Sequence, residues 1–171
     1  MSEIDLLRNE IETLKQAFTR KEEIDRVMQE IAIQFIMPAN QDHAINFALE
    51  KALELSGADR AVVMQVHSDN PSLISFTHEK CRKGVRAVLR YAQNIPFYGN
   101  SWFKKIHIEQ GFIAITDTSR MPAEASNEMK IFKRGGIHAV LMASFASNNE
   151  FRGNLHLDFH TTREGWPPDI I

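Results

Sequence analysis

Ile137-His138-Ala139-Val140-Leu141-Met142-Ala143-Ser144-Phe145 and Asn154-Leu155-His156-Leu157-Asp158-Phe159-His160 decide the fold. Both stretches alternate with a period of two, and a short polar link joins them, so they predict a β-hairpin. One face carries Ile137, Ala139, Leu141, Ala143 and Phe145 with Leu155, Leu157 and Phe159. That face is expected to be the core. The other carries His138, Val140, Met142 and Ser144 with Asn154, His156, Asp158 and His160. It is expected to meet a different environment, as a solvated surface or a pocket lining. Gln65, His67, Ser75 and Thr77 could join this second face.

Upstream, residues 61–67 read as a strand, Asp69-Asn70-Pro71 as a turn, and Leu73–Thr77 as the returning strand. Residues 85–93 carry a helical pattern with Val85, Val88, Leu89 and Ala92 inward. Residues 101–109 form a weaker helical pattern, and Phe112–Thr116 a short strand. Pro122 opens a further helix that Gly135-Gly136 closes. Before all of these, Ile45, Ala48, Leu49, Ala52 and Leu53 mark one helix face, stopped at Gly57. The order predicts an α+β domain, a central antiparallel sheet flanked by helices.

The first segment is different. Ile4, Leu7, Ile11, Leu14 and Phe18 alternate spacings of three and four, the a/d pattern of a coiled coil. Lys21 and Asp25 interrupt it, and a second stripe follows at Ile24, Val27, Met28, Ile31 and Phe35. The helix either breaks near Thr19 or continues with its stripe rotated; Pro38 ends it. Residues 1–21 are therefore expected to form a dimerising helix, coiled-coil-like, and residues 22–171 a separate α+β domain.

The chain has 171 residues and a net charge of -2, which gives no global field for nucleic acid. The lone cysteine, Cys81, excludes an internal disulfide and a multi-cysteine zinc site. With a polar, acidic N-terminus unlike a secretion signal, it points to a cytoplasmic protein. No apolar run approaches the ~20 residues that span a bilayer.

From residue 22 onward the chain resembles the GAF domain family, relatives of PAS sensors. The resemblance rests on Leu53-Glu54-Leu55-Ser56-Gly57-Ala58-Asp59-Arg60-Ala61-Val62-Val63, on Ile95-Pro96 with Ser101-Trp102-Phe103, and on Gly111–Asp117 leading into Met121–Ala125. It rests also on Gly136–Leu141, Gly153–Asp158 and Trp166 before Pro167-Pro168-Asp169-Ile170. No single piece is specific; their order and spacing are. The resemblance implies a non-catalytic regulatory module of a bacterial signalling protein, with a small-molecule pocket between the sheet and its crossover helices. It also implies a helical homodimer and an attached output domain, such as a histidine kinase or diguanylate cyclase. Such a chain continues past Trp166 in the family, so an excised fragment is expected. The Asn-Lys…Phe…Asp signature of cyclic-nucleotide binders is absent. Arg82 follows Cys81 where bilin attachment sites commonly have histidine, and a single cysteine is fewer than methionine sulfoxide reductases of this family need.

The expected pocket residues are Trp102, His107, His138, Met142, His156 and Asp158. A neutral imidazole both donates and accepts hydrogen bonds, which suits it to orient a polar ligand. His156-x-Asp158-x-His160 spreads three potential metal ligands along one strand face, loosely for one ion, and no metal is expected. Lys80, Arg82, Lys83, Arg86 and Arg90 suit an anion or, more simply, a solvated face. Phe97, Tyr98, Trp102 and Phe103 suit a core or a pocket wall. Cys81 has His78 nearby in sequence but no hydrolase motif around it. The identity of the ligand, any cofactor and the output domain are not legible.

Overall fold

The computed structural model describes residues 2–36, 40–97, 102–148 and 150–166. Pro38, Tyr98, Ser101 and the segment after Trp166, all used in the sequence reading, lie outside them. The helices are α1 (Glu3–Ile36), α2 (Gln41–Ser56), α3 (Trp102–Gln110) and α4 (Ser126–Gly135). The strands are β1 (Arg60–Val66), β2 (Leu73–Cys81), β3 (Ile95–Pro96), β4 (Phe112–Ile115), β5 (Ala139–Ser147) and β6 (Glu150–Phe159). The chain divides into two compact units, Met1–Phe47 and Ala48–Ile171, and the sheet belongs wholly to the second.

α1 is one uninterrupted helix, so the stripe rotates without a break at Thr19. Its start is fixed locally. The Ser2 hydroxyl accepts from the Asp5 N–H, and the Asp5 carboxylate accepts from the Ser2 N–H, a reciprocal cap. Ile4, Leu7, Ile11, Leu14 and Phe18 are all exposed. The second stripe divides. Val27 is buried, Ile24 and Ile31 are half-buried, and Met28 and Phe35 are exposed.

Among the described residues the sheet has six antiparallel strands in the order β3-β2-β1-β6-β5-β4. The predicted β5–β6 hairpin forms, with Val140 opposite Asp158, Met142 opposite His156 and Ser144 opposite Asn154. β1 lies on the other side of β6, with Arg60 opposite Asp158 and Val62 opposite His156. β2 extends to Cys81, beyond the expected Thr77, because it pairs with the full length of β1. That register places Gln65 and Ser75 on the face of Leu155 and Leu157, not on the polar face, and Thr77 falls in a bulge.

The expected core face is buried at Ile137, Ala139, Leu141 and Phe159, at most 7% exposed, but the polar face is buried as well. Val140, Met142, Asn154 and Asp158 are at most 2% exposed, whereas Leu155 and Leu157 are half-buried and Phe145 is 37% exposed. The reason is topological. α3, the segment after β4 and α4 cross the Val140 side. There Ile113, Met121, Ala125, Phe132, Ile137, Val140 and Met142 form a core cluster flanked by Trp102, Phe103, Ile106 and Met129. The Glu128 carboxylate, itself buried, accepts from the Phe103 N–H in the first turn of α3. Gly136, at φ 66°, ends α4 in the left-handed conformation and lets the Ile137 N–H reach the Phe132 carbonyl.

The helix expected over residues 85–93 is absent. Residues 82–88 are irregular, and a single tight turn spans Leu89–Tyr91. The Glu79 carboxylate takes the Val88 and Leu89 N–H groups at 2.8–3.0 Å, and Gly84 sits at φ 88°. A carboxylate that captures consecutive N–H groups fixes the start of a turn there, not the middle of a helix.

Gly153 marks the tightest point of the sheet. A β-carbon there would collide with the Met64 carbonyl oxygen and lie 2.5 Å from the Phe145 ring. Backbone cannot yield as a side chain can. Gly153→Ala is expected to cost about 2–4 kcal/mol, read as a lowered urea midpoint, while Gly165→Ala, where a β-carbon meets open space, leaves the midpoint within experimental scatter.

Candidate functional site

β1, β2 and β6 bring three charged side chains together beneath the covered face. Arg60 donates through Nε to Asp158 Oδ2 at 2.8 Å, and its Nη2 lies 2.7 Å from the same oxygen. Glu79 Oε1 lies 3.9 Å from Arg60 Nε, and Arg60 Nη1 donates to the Arg86 carbonyl. All three side chains are at most 5% exposed. A buried guanidinium between two carboxylates leaves the group one positive charge short. Burial raises the Asp158 carboxyl above the usual range, with Arg60 opposing.

Farther along β6 the same face carries His156 and Asn154. The His156 ring packs edge-on against Phe76 at 5.8 Å. Burial, then the Arg60 charge, lowers its pKa to about 4. Asn154 Nδ2 donates to His107 Nε2 at 2.7 Å, and His107 Nδ1 lies 2.5 Å from Ser144 Oγ. Burial, then His156, lowers the His107 pKa to about 4 as well, so both imidazoles are neutral near pH 7. An imidazole that accepts at Nε2 carries its proton on Nδ1 and donates it to Ser144. The His107 ring stacks on Phe151 at 5.2 Å and faces Phe103 at 5.8 Å.

Three buried atoms on this floor find no hydrogen-bond partner among the described residues: Asn154 Oδ1, His156 Nε2 and Asp158 Oδ1. They belong to alternate residues of one strand and face the same way. An unsatisfied buried polar atom costs about 1–3 kcal/mol. Three in a row are therefore a feature that folding alone does not favour.

Of the expected pocket residues, His156 and Asp158 lie on this floor and His107 reaches it through Asn154. Met142 is buried in the apolar cluster beside them. Trp102 packs against that cluster and lines a separate groove of about 380 Å³ at the β4 edge, with Ile106, Ile113, Ile115, Met121 and Pro122. None of the polar floor residues lines that groove. His138 does not join the floor. Its side chain is exposed, within electrostatic reach of Asp117, and its backbone is engaged to Phe159 and Thr118. Arg60 and Glu79 are the residues the sequence reading missed, and Asn154 it placed on the polar face without naming it among the pocket residues. The signal for Arg60 was its parity with Val62 and Met64, directly before an apolar run.

Among the described residues no group of three His, Cys, Asp or Glu side chains could hold a metal ion. Cys81 pairs with Arg60 across the strands. Burial and the neighbouring Glu79 push its thiol up to about 11, so it holds little thiolate at neutral pH. Arg82, Lys83, Arg86 and Arg90 are exposed, and Arg86 and Arg90 lie over the Tyr91 ring at 5.3 and 4.7 Å. With no helix start among them, they do not converge on an anion site. No described helix is long and apolar enough to cross a membrane.

No family model and no curated protein matches the sequence. Solved structures do. The phycocyanobilin-bound GAF domain of a cyanobacterial phytochrome aligns with a TM-score of 0.71 at 15% identity, over 85% of this chain and 84% of that one. The chain has the GAF fold. The GAF domain of the cyanobacteriochrome TePixJ aligns with a TM-score of 0.60 at 15% identity, over 77% of this chain and 80% of its own. The chromophore-binding domain of an unusual bacteriophytochrome from R. palustris aligns at 0.69 and 15% identity, over 88% of this chain and 56% of that chain. At such identities the likeness is one of fold. In this fold the polar floor is carried by β6, one of the two central strands.

The two neutral histidines make stability depend on pH. Each has a folded pKa near 4, against 6.5 when unfolded. The unfolded chain therefore binds more protons between those values. Stability is fully present above about pH 6.5 and is lost as pH falls toward 4, with a slope approaching ~2.7 kcal/mol per pH unit for two groups. Asp158 acts with the opposite sign, and comparison with a variant cancels it. Urea unfolding from pH 4.5 to 7 is expected to show a shallower slope, by about half, in His107→Gln.

Proposed function

We propose that this GAF domain is a ligand-sensing module without chemistry of its own, holding a small molecule against the floor formed by Asn154, His156 and Asp158. The observation that carries this reading is the row of three unpartnered buried atoms on β6. Such a floor asks for hydrogen-bond donors at Asn154 Oδ1 and Asp158 Oδ1, and for either a donor or an acceptor at the neutral His156. A compact molecule bearing several N–H or O–H groups meets that demand. Structures of the same fold hold phycocyanobilin, phycoerythrobilin or biliverdin, and a tetrapyrrole carries N–H groups of this kind. The raised Cys81 pKa favours non-covalent binding. Residues 22–171 would form the sensor and residues 1–21 a homodimerising stem. The parent would be a cytoplasmic signalling protein whose output domain, a histidine kinase or cyclase, reads the stem.

Thermal denaturation against bilins, cyclic nucleotides and dinucleotides tests the first half of this reading. A saturable rise in Tm is expected, since a ligand at a hundred times its Kd adds about 2.7 kcal/mol to the folded state. His156→Leu is expected to leave the unliganded protein as stable or more so, because it removes an unsatisfied nitrogen, while weakening the ligand at least tenfold (~1.4 kcal/mol). Undiminished binding by that variant would move the site elsewhere. Absence of any stabilising compound would favour a relay that dimerises without a ligand, a reading supported by the exposed apolar stripe of α1.

The stem is tested separately. Five large apolar side chains on one exposed stripe each contribute ~1.5–3 kcal/mol when fully buried, before ordering costs. Leu7→Glu with Leu14→Glu in the full chain is expected to yield a monomer by light scattering where the wild type is dimeric.

A further inference from the structure

The paired end of the polar floor carries a charge imbalance, and one atom is left to answer it. Among the described residues Arg60 is the one buried cation, against the buried carboxylates of Asp158, Glu79 and Glu128. Two of those carboxylates are supplied by the backbone. Glu79 takes the Val88 and Leu89 N–H groups, and Glu128 takes the Phe103 N–H. Asp158 is different. Arg60 Nε and Nη2 both meet its Oδ2, at 2.8 and 2.7 Å, while Oδ1 is buried without a partner. Neither imidazole of the floor adds positive charge, because His156 and His107 are neutral near pH 7.

That geometry selects the chemistry of what meets Oδ1. A neutral hydroxyl satisfies a lone pair but leaves the charge uncompensated, and an anion is repelled. A guanidinium binds a carboxylate best through both oxygens, and Oδ2 already serves Arg60 twice. An ammonium is a point charge with three donors and needs one oxygen only. Alternate side chains along a strand lie about 7 Å apart. A second polar group, one short alkyl chain away, therefore reaches His156 Nε2, the next unpartnered atom.

We infer that the floor recognises an organic amine, with a primary ammonium seated on Asp158 Oδ1 and a second hydrogen-bonding group at His156. This rests on the ligand-sensing reading above and names its ligand class. Burying an ammonium is costly unless a carboxylate receives it. Here the carboxylate is buried before the ligand arrives, so its desolvation belongs to folding and not to binding. Burial raises the Asp158 carboxyl above its usual range, an effect that an added positive charge opposes.

The test is thermal denaturation of the full chain at about pH 8, where an ordinary imidazole is neutral and an alkylamine still charged. Salt at about 0.3 M screens pairing at the surface. The probes are a set of primary amines led by diaminopentane, with pentanediol and glutarate, which share its carbon chain and differ in charge. Diaminopentane is expected to raise Tm saturably, with a Kd at least about tenfold below that of pentanediol, and glutarate to leave Tm unchanged. The fully methylated diammonium keeps the charge and loses every N–H; it is expected to bind at least about tenfold more weakly than the diamine. Asp158→Asn retains an acceptor and removes the charge, and is expected to bring the diamine down to the level of the diol. His156→Leu keeps the Arg60 pairing and is expected to weaken the diamine about tenfold, so the site is tested even where Asp158→Asn does not fold. Stabilisation by pentanediol or glutarate equal to that by the diamine would overturn the amine and leave the sensor reading standing. A Tm raised by a bilin or a nucleotide but by no amine would do the same, as would a diamine shift undiminished in Asp158→Asn. A Tm that no compound raises would sink the sensor reading itself.

Discussion

Arg60 stands at the first position of β1 with Asp158 opposite it on β6 and Glu79 on β2, and the covered face of the sheet is organised around that contact. A guanidinium removed from water is tolerated only with its partners in place, and removal of one partner from such a pair typically costs about 3–5 kcal/mol. Three strands are thereby tied at one end. Glu79 completes the tie by holding the Val88 and Leu89 N–H groups, which turns the chain toward the crossover. Asp59, one residue earlier, binds the His160 N–H and closes the same end of β6.

The consequence for the site is electrostatic. The Arg60 charge lies close enough to His156 to help keep it neutral, and His156 in turn disfavours a charge on His107. Burial is the main cause of both neutral imidazoles, and the Arg60 charge adds to it at His156. The row ends in Asn154, whose amide nitrogen is taken by His107 and whose oxygen is left over. Pairing is thus strong at the Arg60 end, while hydrogen-bonding capacity is left unmet along the rest of the strand.

The stem obeys a different physics. Nothing in α1 resembles the dense pairing of the sheet. It is held by a reciprocal cap at Ser2 and Asp5 and by helical periodicity, with its apolar side chains outward. Most helical stability in proteins comes from packing of an apolar face, and in α1 the seam through Phe18 is exposed.

The sequence by itself determined every element whose period was strong. The alternation through 137–145 and 154–160 predicted a hairpin that forms with the expected residues on each face, and the heptad through Phe18 predicted a helix that is present. The grouping of Asn154, His156 and Asp158 on one face was also legible, because parity along a strand is a local property. That both faces would be covered was not legible. Leu155 and Leu157 were the more apolar choice, yet the long crossover from β2 to β5 packs on the other side, where pairing makes polar side chains tolerable. His138 shares the parity of His156 but lies at the strand's entrance, beyond that covering. The helix expected at 85–93 yielded to Glu79, a residue whose place beside Val88 exists only once β2 is paired with β1. Local spacing fixes which side chains share a face; the tertiary structure alone decides what that face meets, because burial and long-range pairing depend on segments far apart in the chain.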